Sequence, residues 1–195
     1  MSDISSTSEE ILASAQKLIA SGGYNGFSYA DIASVVGIRK ASIHHHFPSK
    51  VDLVRVLVAE YRQKAEVGMS QLAGDIPGSA ELLQAYVGYW AHCIEDNSNP
   101  FCTCALLAGE MPSLPAEVVI EVRAYFRFLS GWLTTVLARG EKEGAFTLIN
   151  APEAEAEALM ALVHGAMLSA RAYGDPRIYG VILTPALHRL FVKQH

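Results

Sequence analysis

Beyond residue 50 the apolar residues recur at helical spacing, and no stretch shows the apolar–polar alternation of a half-buried strand. Val51, Val54, Leu57, Val58 and Tyr61 predict a helix over about 50–72, closed by Gly74-Asp75-Ile76-Pro77-Gly78. Ser79 is placed to cap the next helix, which carries Leu82, Leu83, Tyr86, Tyr89, Trp90 and Cys93 on one face and stops at Asn97-Ser98-Asn99-Pro100. A short helix over about 102–110 follows. A long one over about 115–143 carries Val118, Val122, Tyr125, Phe126, Leu129, Leu133 and Val136 in register. Asn150, with Pro152 in the first turn, predicts the start of a helix to about Tyr173. Gly174-Asp175-Pro176 breaks it, and a last helix reaches about Phe191.

The first fifty residues are punctuated more sharply. Thr7 with Glu10 has capping-box spacing and predicts a first helix ending at Gly22-Gly23. Ser28 with Asp31 repeats the spacing, and Phe27 with Ile32 occupies the hydrophobic-staple positions. Ala33, Gly37 and Ile43 meet the demands of two helices crossing at a tight turn. Ala33 is a small residue at the approach, Gly37 accepts left-handed angles, and Ile43 joins Ile32, Val36 and Ile38 as apolar pins. Pro48 disfavours helix at Phe47, so the second helix of the pair ends there, and Ser49 with Asp52 caps the next. The exposed positions of that helix and its flanks are Arg39, Lys40, Ser42, His44, His45, His46 and Lys50, all donors suited to phosphates or base edges. A buried helical hairpin has no need of them.

Charge changes the picture only when it is divided. The 195-residue chain carries a formal −5, which argues against bulk affinity for nucleic acid. Yet residues 39–64 hold six Lys/Arg and two Asp/Glu, while residues 65–195 hold eight and fourteen. The positive field is local, as expected of a protein that meets DNA with one end. Half the residues are apolar, but no run approaches the length of a membrane span. The N-terminal stretch lacks the basic and apolar regions of a signal peptide, and three cysteines make no disulfide framework. A cytoplasmic location is the simplest expectation.

The string Gly-Tyr-Asn-Gly-Phe-Ser-Tyr-Ala-Asp-Ile-Ala-Ser-Val-Val-Gly-Ile-Arg-Lys-Ala-Ser-Ile-His-His-His-Phe-Pro-Ser-Lys, within residues of about 8–55, resembles the N-terminal domain of the TetR family of bacterial transcriptional regulators. Family members usually carry Tyr where this chain has His44, and often where it has His45. The resemblance implies an all-α fold of about nine helices. A three-helix DNA-binding domain over 1–52 would precede a larger helical effector-binding and dimerisation domain over 53–195. It also implies a homodimer that reads a palindromic operator and responds to a small-molecule effector, most simply as a repressor. Arg39, Lys40, Ser42, His44 and His45 would then meet bases or phosphates, with Lys50, Ser28 and Tyr29 holding phosphates, partly through helix N-terminal amides.

The rest of the chain offers candidates with competing readings. Tyr86, Trp90, Met111, Tyr125, Phe126, His164 and Met167 either pack the core or line a pocket for an apolar effector. Ala154, Ala158, Ala161, Gly165, Ala166, Ser169 and Ala170 give one helix a small-residue surface, suited to close packing within the chain or across a dimer axis. Cys102 and Cys104 read as buried thiols, as a thiol sensor for oxidants or electrophiles, or as part of a metal site with His92 or His164. Cys-x-Cys alone lacks the spacing of a zinc module. Residues 102–110 also follow a Cys-x-Cys-x-x-Leu-Ala-x-Glu pattern similar to one TetR subgroup. No phosphate loop, Gly-x-Ser-x-Gly or His-Glu-x-x-His is present, and no cofactor or metal is expected. The rival reading is an enzyme or thiol-based stress protein with an incidental helical hairpin.

Overall fold

The computed structural model describes residues 3–97 and 101–191, with side chains from residue 7 onward. Among the described residues are nine α-helices: α1 Asp3–Gly22, α2 Tyr29–Val36, α3 Lys40–His46, α4 Lys50–Asp75, α5 Ser79–Glu95, α6 Thr103–Gly109, α7 Ala116–Lys142, α8 Pro152–Tyr173 and α9 Arg177–Leu190. A 3-10 turn, Met111–Ser113, lies between α6 and α7. The extended contact found is one isolated antiparallel bridge between Phe146 and Phe191, so the fold is all-α.

Packing divides the chain into two compact units, Met1–Lys64 with Thr103–Tyr125, and Ala65–Cys102 with Phe126–His195. This differs from a division at residue 52: the first unit also takes in the start of α4, all of α6 and the start of α7.

In the first unit Ile11, Ala15 and Ile19 repeat every fourth residue along α1 and are buried with Ile32, Ile43, Leu53, Val54 and Leu57. Both halves of the capping box at α2 form: Ser28 Oγ accepts the Ala30 N–H, and the Asp31 carboxylate accepts the Ser28 N–H at 2.7 Å. Gly37 ends α2 at φ 76°, the left-handed conformation that a side chain would disfavour, and its N–H returns to the Ala33 carbonyl. Ile32 and Ile43 pin the helix pair, whereas Val36 and Ile38 are only half-buried. At α4, Ser49 Oγ accepts the Asp52 N–H as its spacing predicts.

The second unit corrects two expected helix caps and one expected position on an apolar face. Gly78, not Ser79, stands at the N-cap of α5. Ser79 is buried instead, its N–H donated to the Glu143 carboxylate and its Oγ accepting Arg139 Nε at 2.7 Å. Ala151 is the N-cap of α8, and Asn150 donates its backbone and side-chain N–H groups to Glu155. Tyr89 is exposed although Leu82, Tyr86 and Cys93 are buried, because it falls just past the edge of the apolar arc of α5. α5 ends at Glu95 with Asp96 as its cap, just before the stop expected from Asn97, while Ser98-Asn99-Pro100 lie outside the described residues. In the first unit a similar shift occurs: α1 begins at Asp3, a turn before Thr7, so Thr7 lies within the helix.

The packing at α2 and α3 gives a direct expectation. Ile43→Ala costs about 2–5 kcal/mol and Ser28→Ala about 1 kcal/mol, while the exposed Val35→Ala stays within about 0.5 kcal/mol. Urea denaturation of the three variants checks the order; equal losses at positions 35 and 43 would contradict the burial described.

Candidate nucleic-acid interface

Helix α3 is seven residues long and has no side-chain N-cap, so its orientation is imposed by its neighbours. Ile43 is its buried anchor, while Arg39, Lys40, His44 and His45 are exposed and Ser42 and His46 are half-buried. Four polar side chains thus stand outward on one short element and its cap. His44 is held: its Nδ1 lies 3.2 Å from the Pro48 carbonyl and its ring packs edge-on to Tyr29 at 4.8 Å. A carbonyl only accepts, so that contact places the proton on Nδ1 and leaves Nε2 outward as an acceptor while the ring is neutral.

Tyr29, expected at a phosphate, is buried, and its hydroxyl donates to the Phe47 carbonyl at 2.9 Å. The phenol therefore ties the start of α2 to the end of α3; only its backbone amide retains the position suited to an anion. Burial, then Asp52 and Tyr24, push its pKa up to about 12. Ser28 is also committed. Its hydroxyl donates to Asp31 at 2.7 Å, which holds the Asp31 carboxyl below its usual range, with Lys40 adding to the effect. Neither side chain keeps a hydroxyl proton for DNA.

Lys50, the first residue of α4, turns partly inward. Its ammonium donates to the Phe27 carbonyl and lies 4.1 Å from the Phe27 ring centre and 4.8 Å from that of Tyr24. Burial lowers its pKa, against upward pulls from Asp31 and Glu110. One of its three protons serves this brace, and two remain for a phosphate. Two residues escaped notice as site candidates. Arg55 is exposed on α4 and was visible only as part of the local positive balance. Glu110 accepts the Tyr24 N–H, and its one signal was the closing position of the 102–110 pattern.

The candidate effector residues do not fall in one unit. Met111 and Tyr125 belong to the first, where Tyr125 is buried against Tyr61 at 5.4 Å. The second holds Tyr86, Trp90, Phe126, His164 and Met167. There Tyr86 packs on Trp132 at 5.5 Å and Phe126 on His164 at 5.4 Å. Among the described residues, the buried Tyr86 hydroxyl and His164 Nε2 lack a hydrogen-bond partner of ordinary geometry. Burial, Cys102 and Tyr179 raise the Tyr86 pKa against a smaller downward pull from the Trp90 indole.

The thiols of Cys102 and Cys104, a candidate sensor in the sequence, lie in the core. Both are buried and form no disulfide, which removes the solvent access a reactive thiol needs. Among the described residues no cluster of three metal-ligating side chains occurs, and no helix is long and apolar enough to cross a membrane.

Residues 11–57 match the family described as "Bacterial regulatory proteins, tetR family". A solved TetR-family transcriptional regulator from Agrobacterium tumefaciens is 56% identical, with a TM-score of 0.95 over 97% of this chain and 100% of that one. A TetR transcriptional regulator from Legionella pneumophila is 30% identical, with a TM-score of 0.80 over 89% and 91%. The HTH-type transcriptional regulator CymR of Pseudomonas putida is 25% identical over 136 residues, 69% of this chain and 67% of that protein. The chain belongs to the TetR family, and is a helix-turn-helix, DNA-binding transcriptional regulator.

Removing the Tyr29 hydroxyl separates bracing from DNA contact. Tyr29→Phe should cost about 0.5–1.5 kcal/mol at neutral pH and weaken DNA binding with an unchanged salt slope. A raised phenol pKa means the folded state prefers the neutral form. The wild type therefore keeps this contribution below its usual value near 10 and loses it as the pH climbs towards about 12. Denaturation curves between pH 9 and 12 should flatten in the variant (roughly the window set by the two values). A reduced salt slope instead would restore Tyr29 as a phosphate ligand.

Proposed function

We propose that this regulator is a dimeric repressor that places α3 in the major groove of a palindromic operator and leaves it when a small molecule binds the second unit. The observation that carries the reading is the outward display of Arg39, Lys40, His44 and His45 on a helix whose own side is pinned by Ile43. Arg39 and Lys40 are long cations suited to phosphates and guanine edges. His44, with Nε2 outward, suits an exocyclic amine when neutral and a phosphate when charged. Ser42, half-buried, and His45, exposed, complete the base-reading set, with Lys50 and the α2 amides towards the backbone. Contact with bacterial DNA goes with a cytoplasmic location, and the repressor role rests on the family resemblance.

The dimer reading is supported by α8. Ala154, Ala158, Ala161, Gly165, Leu168 and Ala172 are all exposed and share one helical face, while Ala166 and Ala170 face the core. Small side chains on an uncovered face let a second helix approach closely. Two copies related by a two-fold axis would present two recognition helices one DNA turn apart, about 34–36 Å. For the effector, an apolar body with at least one polar group fits the second unit, because the Tyr86 hydroxyl and His164 Nε2 are left to be satisfied. An oxidant or electrophile acting on Cys102 or Cys104 fits less well, given their burial.

Two experiments test these parts. Arg39→Ala and Lys40→Ala should each weaken binding to a DNA fragment selected by the wild type, and should lower the salt slope by about one where the contact is to phosphate. Unchanged affinity and slope in both would sink the docking. Separately, Ala161→Arg should turn a dimer into a monomer in sedimentation equilibrium while helix content by circular dichroism is retained. A dimer that survives the substitution moves the interface off α8.

A further inference from the structure

We infer that Glu110, at the end of α6 and far in sequence from the recognition helix, is a positioning residue for DNA docking. This rests on the DNA-binding reading above. Its two carboxylate oxygens lie 3.2 and 3.0 Å from the Tyr24 backbone N–H, in the turn between α1 and α2. The turn is shaped to admit it: Gly23 sits at φ +72°, and a Cβ there would lie 2.1 Å from Glu110 Oε1. Charge-assisted bonds of this kind are about twice as strong as neutral ones. The other end of the same segment is tied as well. α6 packs against α1, and Gln16 Nε2 donates to Thr103 Oγ1 at 3.4 Å.

From Tyr24 the contacts run on to the DNA-facing edge. The Tyr24 ring lies under the Lys50 ammonium, which donates to the Phe27 carbonyl, and Phe27 immediately precedes the Ser28 cap of α2. Tyr29, next in the chain, holds the end of α3 through Phe47. Glu110 therefore secures the turn from which α2 starts, and through Lys50 the start of α4. A carboxylate repels phosphate, so its contribution to DNA binding runs through this geometry and not through contact. The loss of one acceptor should be felt as a change in where the donors of α3 stand.

The test uses the full chain with Glu110→Ala, Glu110→Asp and Glu110→Gln. Gln keeps a carbonyl oxygen at the same reach; Asp keeps the charge but is one methylene short. Affinity for a fragment selected by the wild type, its salt slope, and hydrogen exchange of the Tyr24 amide are measured together. Ala and Asp should each weaken binding by about tenfold with the slope unchanged, and should speed Tyr24 exchange. Gln should stay within about threefold of wild type and keep the amide protected. If Ala does not fold, the Asp–Gln comparison decides the same question. Wild-type affinity in Asp with Tyr24 unprotected, or Gln as weak as Asp, overturns the role of Glu110 while DNA binding itself stands. A wild-type chain that selects no DNA overturns the DNA-binding reading and this inference with it; Tyr24 exchange then still reports whether the contact forms.

Discussion

A seven-residue helix cannot hold its own direction in water, and the proposed reading surface of this protein is such a helix. Its orientation depends on the bond from the buried Tyr29 hydroxyl to the Phe47 carbonyl. That bond joins the first residue of α2 to the cap of α3 and so closes the helix pair at the end opposite Gly37. Between the two closures Ile32 and Ile43 are fully buried, leaving the pair little freedom to slide. The rest of the interface follows. Arg39, Lys40, His44 and His45 face outward because the opposite side of α3 is fixed, and the His44 ring leans on the Tyr29 ring that makes the closing bond.

The same economy of polar groups governs the surrounding turns. Asp31 and Asp52 bind the serines that cap α2 and α4, so acidic residues near the reading surface are engaged locally. Lys50 spends one proton on the Phe27 carbonyl and is steadied by two aromatic faces. This basic residue is thus also a structural one, which joins the stability of the turn to the charge it presents. The second unit shows the opposite condition. Among the described residues, its buried Tyr86 hydroxyl and His164 Nε2 lack a hydrogen-bond partner of ordinary geometry, and unsatisfied polar atoms inside an apolar region carry a cost.

Much of the fold was legible in the chain because helix boundaries are local chemistry. Ser28 with Asp31, Ser49 with Asp52, Gly37, and Gly174 each stand where spacing and backbone preference place them. The two caps that moved share one cause. Ser79 and Asn150 have the residue type of a cap, yet Arg139 and Glu143, and Glu155, engage them in other bonds. Tyr29 and Ser28 have hydroxyls suited to phosphate, but Phe47 and Asp31 take their protons. Cys102 and Cys104 are buried, which no local pattern could show.

By itself the sequence determined the helices, the left-handed turn at Gly37 and the local positive charge, since all of these depend on neighbours within about one helical turn. The tertiary structure alone decided which donors remain available, which thiols are shielded and that Glu110 belongs with the turn at Tyr24, 86 residues earlier. A hydrogen-bond donor is used once, and which acceptor takes it is settled only when distant segments meet.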